Sequence, residues 1–446
     1  MSSQFSHSDA DLRQIAQDML RHARAQGASA AEAEVSQGIG QNVCVRMGEV
    51  ETIEYTRDKG LGVTVYFGKQ RGNASTSDFS ARAIEDTVKA ACSIAKFTAA
   101  DEFSGLPDEK FLFRGELPEL DLYHPWSLSV EEAIEVAKRC EAAAMAVDKR
   151  ITNSEGASVS TGESSFIYAN SLGFINGYPG SRHDIGASVI AEQNDAMQRD
   201  YWYTTARDYN DLESAETVGK RSGERVIARL NAKKIGTMQV PVLFEAPIAS
   251  GLINNFVSAV SGGSLYRKSS FLLDSMGKQI FSPNVQLRES PFIKKGLASG
   301  AFDNEGVATY ERDVIKDGIV QGYFLSTYSS RKLGMQTTGN AGGSHNLILQ
   351  SSDLDFKALL KKMGTGLVVT ELLGQGVNMV TGDYSRGAAG CWVKNGEIQH
   401  AVEEITIAGN LKEMFKQIVA VGNDVLVRGS VQCGSILIER MTVAGD

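Results

Sequence analysis

The chain has 446 residues, enough for two or three domains with large cores. Hydrophobic residues make up 42% and charged residues 22%, the balance of a soluble globular protein. The net charge is −9 with no basic block, which argues against direct nucleic-acid binding, because phosphates must be met by a basic face. Gly is abundant at 45 residues and Pro scarce at 8, a balance of tight turns and not of disordered linkers. Cys44, Cys92, Cys140, Cys391 and Cys433 are odd in number and widely spaced, so free thiols in a reducing compartment are expected. The opening MSSQFSHSDADLRQ lacks a basic segment followed by an apolar run, and no stretch approaches the length of a membrane span. A cytoplasmic location, with no membrane partner, is expected.

Ser8 caps a first helix, with Asp9 and Asp11 well placed in its first turn. Leu12, Ile15, Ala16, Met19, Leu20 and Ala23 form one apolar stripe, and Gly27 ends it. From 31 to 76 the period becomes two. Val43 and Val45 alternate with polar residues, Val50, Thr52 and Glu54 with Glu51, Ile53 and Tyr55, and Val63, Val65 and Phe67 follow Lys59-Gly60. An antiparallel meander is predicted. A helix over 81–98 turns Ile84, Val88, Ala91, Cys92 and Ala95 inward.

The same order then recurs, without a residue-level repeat. Ser129 and Glu132 form a capping box, and Ile134, Ala137, Ala144 and Val147 lie along the helix behind it. Strands are predicted over 151–207, broken at Asn170, Gly173, Gly177 and Gly180, then a helix over 212–230. The polar, basic stretch 229–241 marks a junction between domains 1–236 and 237–446. In the second half, Asp317-Gly318 and Asn395-Gly396 stand between apolar strands, a strong two-residue hairpin signal. Helices are predicted over 246–260, 355–363 and 410–420. Runs of strands with helices set apart, and no βαβ rhythm, indicate an α+β fold: helix/antiparallel-meander units first, then a β-rich C-terminal domain.

Local motifs leave the chemistry open. Gly374-Gln375-Gly376 and Ser275-Met276-Gly277-Lys278 lack the spacing of phosphate-binding loops and read as turns. No two of His7, His22, His124, His183, His345 and His400 stand three to five residues apart, so no helix face offers a histidine pair to a metal. His345 lies in the Gly-rich stretch Asn340–Asn346 and is either an ordinary loop histidine or a functional one. Cys433 beside Gly434 is either a small buried residue or, given a nearby base, a nucleophile. Asp303-Asn304-Glu305 reads as a turn and Glu403-Glu404 as a solvated edge, acid/base work being the other reading of each.

Longer matches carry more. Met363–Leu372, Thr381–Gly390, Ile405–Leu411, Val421–Asp424, Cys433–Ser435, Gly263–Ser269 and Asp148–Asn153 together resemble the TldD/PmbA peptidase family, once described as modulators of DNA gyrase. The resemblance spans essentially the whole chain. It implies a cytoplasmic peptidase of two related subunits, acting on unfolded peptides and the leader segments of peptide precursors. The TldD-type subunit carries zinc on HExxxH plus a Cys near the C-terminus. Zinc holds a water that becomes nucleophilic near neutral pH, and the Glu serves as general base. Histidines five apart are about 140° apart on a regular helix, so that site requires a distorted or terminating turn.

Counting back from Ser270-Phe271-Leu272-Leu273, the family's histidine positions fall on Ile253 and Ser258 and its glutamate on Asn254. Ile253 cannot ligate, Asn254 cannot act as a base, and Cys433 survives as a lone ligand position. The pattern is similar to PmbA/TldE-type members. The resemblance implies no metal or cofactor in this chain, zinc in a TldD-type partner, and a homodimer as one form of the isolated chain. Asp383, Tyr384, Ser385, Arg386 and His345 are the candidate substrate-binding residues. The other reading is a self-sufficient hydrolase with a non-zinc site built from Cys433, His345 or Asp383.

Overall fold

The computed structural model describes residues 5–194 and 196–445; the first four residues of the N-terminal segment read above, and Asp446, lie outside it. Helix α1 (Asp9–Ala25) opens on a capping box of Ser8 and Asp11 and buries Leu12, Ala16, Met19 and Ala23. Strands β1 (Ala30–Arg46), β2 (Glu49–Phe67) and β3 (Gln70–Thr76) follow, then α2 (Ala81–Phe97), with Ile84, Val88, Ala91, Cys92 and Ala95 inward as predicted. The second unit is α3 (Val130–Met145), β4 (Ile151–Asn170), β5 (Ile175–Asn176), β6 (Pro179–Gln193), β7 (Ala196–Ala206) and α4 (Ala215–Ala228). Ser129 and Glu132 make the predicted capping box, and α4 starts later than predicted because Ser214 caps it.

These strands form one antiparallel sheet in the order β3-β2-β1-β4-β6-β7, with β5 beside β4. The two helix–meander–helix units therefore meet edge to edge along β1–β4. α1 and α2 cover Val35, Val63, Val65 and Ile167, whereas α3 covers Val43, Val45 and Val159. The alternation read over 50–55 does not bury one face: Glu49–Lys59 of β2 are exposed throughout. The physical reason is coverage, since α3 packs on β1, β4 and β6.

The second half contains β8 (Met238–Phe244), α5 (Ala246–Ala259), α6 (Gly262–Tyr266), β9 (Leu287–Glu289), β10 (Arg312–Lys316), β11 (Ile319–Val320) and α7 (Thr327–Lys332). It continues with β12 (Leu347–Leu349), α8 (Phe356–Met363), β13 (Gly366–Leu373), β14 (Asp383–Lys394), β15 (Glu397–Asn410) and α9 (Leu411–Lys416). The last strands are β16 (Ile418–Val421), β17 (Leu426–Val427), β18 (Val431–Cys433) and β19 (Ile436–Ala444). Both predicted hairpins form, and Asn395 and Gly396 turn with φ of 56° and 77°. α9 is shorter than the predicted 410–420 because Ile418–Val421 joins a sheet instead.

One sheet runs β11-β10-β9-β12-β18-β17. The other runs β15-β14-β13-β8-β19-β16, and β15 also pairs with β19. Five strands thus close into a ring around Val242, Phe244, Leu367, Val369, Ile407 and Val443, with α5 against β13 and β18. The fold is α+β, as the strand and helix runs indicated. Among the described residues no helix is long and apolar enough to cross a membrane.

Two helical glycines differ in surroundings. At Gly219 on α4 a Cβ would lie 2.0 Å from the Cys140 carbonyl oxygen on α3, so these helices touch backbone to backbone; at Gly251 on α5 the space is open. Gly219→Ala is expected to lower stability by about 1–3 kcal/mol through overpacking. Gly251→Ala should raise it by about 0.5–1 kcal/mol through helix propensity. Denaturant unfolding of the two variants reads both signs.

Candidate functional site

Helix α5 is a regular α-helix through Ala259. Ile253 is fully buried in the ring's core, whereas Asn254 and Ser258 are exposed. The three family positions assigned by counting therefore do not converge, and no distorted turn lies between them. Cys433 ends β18, the strand against which α5 packs, and belongs to the same apolar core. It is 1% exposed, and burial pushes its thiol up to about 12, so it is a protonated thiol at neutral pH.

The turn that α5 does possess is at its start. Pairing of Phe244 with Ile436 brings the β8–α5 turn beside Cys433-Gly434-Ser435. The Ala246 amide donates to Ser435 Oγ at 3.0 Å, and Ser435 Oγ donates to Asp424 Oδ2 at 2.6 Å. Asp424 bears electrostatically on both Cys433 and Glu245. Glu245 stands at the N-terminus of α5, where a carboxylate is favoured by the helix dipole. Phe244, Glu245 and Ala249 have the spacing of HExxxH with its glutamate alone retained.

Glu245 is not free to act as a base. Arg225 of α4 donates to both its oxygens, at 3.0 and 2.9 Å, and also to Asp200 of β7 at 3.2 Å. Arg229 continues the network to Asp200 at 3.7 Å and to Glu371 of β13 at 2.5 Å. Burial raises the Glu245 carboxyl, and Arg225 opposes that rise. A cavity of 360 Å³ opens over the network, walled by Trp202, Val368 and Cys391. Burial pushes the Cys391 thiol up to about 11, so it too is protonated.

The predicted substrate residues fall in two places. Asp383–Arg386 begin β14 and pair with β15 on one side; on the other, β13 pairs only from Gly387, and Gly376–Asn378 bonds to Asp383 and Ser385 and bridges to Tyr384. Asp383 and Ser385 are exposed, but Tyr384 is buried, with its phenol pushed up to about 12. Arg386 lies beside that phenol and donates to the Gly374 carbonyl at 2.6 Å. The glycines of this region admit the chain's own strands: a Cβ at Gly390 would lie 1.8 Å from the Val368 oxygen. His345 is elsewhere, its amide donating to Glu289 at 2.8 Å and its Nε2 3.0 Å from the Gly339 carbonyl oxygen. The Asp303 turn forms with its carboxylate buried, accepting from the amides of Glu305, Val307 and Ala341.

Sequence reasoning missed Glu245, Asp424 and Ser435. A signal for the first existed: Glu245 closes an apolar strand directly before a helix. The residues present do not fit a zinc ion. Among the described residues no three His, Cys, Asp or Glu side chains are grouped to hold a metal. The surviving thiol is buried and protonated, and the nearest motif glutamate is neutralised by Arg225.

Three family models match the chain in order: the PmbA/TldA metallopeptidase domain 1 over residues 31–95, the central domain over 123–230 and the C-terminal domain over 237–445. A protein called metalloprotease PmbA from Escherichia coli O157:H7 is 50% identical over 93% of this chain and 92% of its own length. A Bacteroides thetaiotaomicron crystal structure, named for modulation of DNA gyrase, superposes with a TM-score of 0.93 at 28% identity, covering 98% of this chain and 100% of that one. TldE from Thermococcus kodakarensis has a TM-score of 0.82 at 19% identity over 97% and 100% of the two chains, which shows a common fold.

Cys433 should resist alkylation by iodoacetamide in the native protein and react only on unfolding. Mass-spectrometric mapping of labelled cysteines checks this; rapid native labelling would show a thiolate that the burial does not allow.

Proposed function

The chain belongs to the PmbA/TldD metallopeptidase family, and from this we propose that it is the metal-free subunit of a zinc peptidase whose zinc and hydrolytic water come from a TldD-type partner. The observation that carries the reading is the donor set around the β8–α5 turn: one buried, protonated thiol and one glutamate held by Arg225. Zinc needs three protein donors and an open position, and this set falls short. What the chain retains is the family fold, and hence an interface and one wall of a substrate chamber.

The substrates are unfolded peptides and precursor leaders, held extended. Asp383–Arg386 lie between β15 and the segment Gly376–Asn378, so their contribution comes through side chains: Asp383, Ser385 and the Arg386 guanidinium, a donor to peptide carbonyls or a terminal carboxylate. Tyr384 supports the strand from beneath, and His345 would reach a different part of the peptide. The free state of all five cysteines supports a reducing, cytoplasmic setting.

Elemental analysis of the purified chain should find no stoichiometric zinc. The chain alone should cleave no peptide, and adding a TldD-type subunit should produce chelator-sensitive cleavage. About one tightly held zinc per chain, or chelator-resistant cleavage by the chain alone, would refute the reading and favour a self-sufficient hydrolase. Within the pair, Arg386→Ala should lower activity more than it weakens assembly, and Cys433→Ala should leave activity within a few-fold. Complete loss with Cys433→Ala in a folded, assembled pair would assign that thiol to the chemistry.

A further inference from the structure

The helix-covered face of the first sheet changes character between its two covers. Along β1, Val35 lies under α1 and α2 and Val43 under α3; along β4, Ile167 and Val159 do the same. Alternate residues of a strand share a face, so Gln37, Ile39 and Gln41 of β1 and Thr161, Glu163 and Ser165 of β4 fill the interval. The register sets Ile39 opposite Glu163 and Gln41 opposite Thr161. The N-terminal segment closes one side, where Gln37 Nε2 donates to the His7 carbonyl at 2.7 Å. Over the rest a cavity of about 300 Å³ remains, bounded by Glu163, Thr161, Gln41, Tyr55 and Trp126.

Glu163 is 8% exposed, and among the described residues its side chain is bonded by the Tyr123 phenol, which donates to Oε2 at 2.6 Å. Its Oε1 has no partner among them, and none of their ion pairs includes Glu163. Desolvation and the bond to Glu163 push the Tyr123 phenol up, so it shares its proton without cancelling the charge. His183, opposite Thr161, supplies no charge either: it is fully buried, and burial pulls its imidazole down, which leaves it neutral at pH 7. Arg57 stands opposite Ile39 on β2, but its guanidinium lies over the Tyr55 ring at 5.7 Å. No lysine or arginine lines the cavity. A carboxylate this far out of water is normally paired, because desolvating a lone charge is costly.

We propose that this cavity binds a small organic cation, an alkylammonium group, with Glu163 as its counter-charge and Trp126 and Tyr55 as its aromatic walls. Aromatic ring faces attract such cations, most strongly where water is excluded. Trp126 is set in place before any ligand arrives: it stacks on Tyr209 at 5.4 Å and 12°, and meets His183 at 5.6 Å and 87°. An ammonium has several protons to place. Beside Glu163, the Thr161 hydroxyl is an acceptor on the wall, and so is Gln41 Oε1, since Gln41 Nε2 is held by the Leu128 carbonyl at 3.4 Å. The volume suits a side chain or a chain end and not a folded partner. The group recognised is the same whether a peptide's amino terminus or a lysine side chain carries it. The inference does not rest on the peptidase reading, since it needs neither zinc nor a second subunit and shares no residue with β14 or the β8–α5 turn.

Isothermal titration calorimetry of the full chain tests this with three probes. Glycylglycine amide carries only an N-terminal ammonium, Nα-acetyl-lysine amide only a side-chain one, and Nα-acetylnorleucine amide is neutral. At least one cationic probe should bind with a dissociation constant of about 1 mM or tighter, and at least about tenfold tighter than the neutral probe. Which cation binds identifies the source. Glu163→Gln keeps an acceptor for Tyr123 and should weaken binding at least about tenfold. Trp126→Leu should weaken it about fivefold. Tyr55 is exposed, so Tyr55→Leu keeps the fold; it should weaken binding about threefold, a readout that stands even where Glu163→Gln misfolds. Absence of binding by both cations up to about 10 mM overturns the proposal. So does equal affinity for the neutral probe, or cation binding that none of these variants weakens.

Discussion

Arg225 holds the two halves of this molecule in register. It projects from α4, beneath the first sheet, and bonds at once to Asp200 of that sheet and to Glu245 at the start of α5. Arg229, one turn on, extends the link to Glu371 of β13. The charges are largely buried, with side-chain exposures of 6% to 22%. Removing one partner from such a network typically costs about 3–5 kcal/mol, because another charge is left uncompensated. Other arginines repeat the device. Arg207 donates to the carbonyls of Gly296 and Leu297, Arg331 to those of Phe103, Gly105 and Leu106, and Arg428 lies 4.2 and 3.9 Å from the ring centres of Trp202 and Tyr203. Guanidinium suits this work because one planar fork satisfies several oxygens.

This network bears directly on the chemistry. A general base must be able to take a proton from a bound water. Glu245 is instead spent on an ion pair that joins domains, and its neighbour Ser435 is committed to Asp424 and to the first amide of α5. Around them the side chains are apolar: Phe244, Ala249, Ile253 and Cys433 are parts of one core. Phe244 and Ala249 are packed toward that core, and the cavity over Glu245 opens onto charges already paired with one another. The chain therefore keeps the fold's shape while its interior serves stability.

Legibility in the sequence followed how local each signal was. α1 and α2 were read almost to the residue because their caps and apolar stripes lie within a few turns. The Asn395-Gly396 hairpin was read because its turn chemistry sits in two residues. Other features depended on distant partners. The alternation at Val50–Tyr55 looked half-buried, but whether a helix covers a strand is decided by how far α3 extends. Glu245 could be placed at a strand-to-helix junction, but its ion pair could not be read, since Arg225 and Asp200 lie far off in the chain. The positions inferred at Ile253, Asn254 and Ser258 lie on α5, whose regular turns send Ile253 into the core and Asn254 and Ser258 outward. Gly-rich Thr381–Gly390 suggested room for a foreign chain, and the room at Gly390 is filled by β13.

The central claim is that this chain contributes architecture and surface, and that the metal resides elsewhere in the assembly. The most direct test is native mass spectrometry of the complex co-expressed with a TldD-type subunit, counting zinc in the intact assembly and in each released subunit. The account predicts one zinc for each pair of unlike subunits, retained by the partner and absent from this chain on dissociation. A zinc ion that leaves with this chain would contradict it.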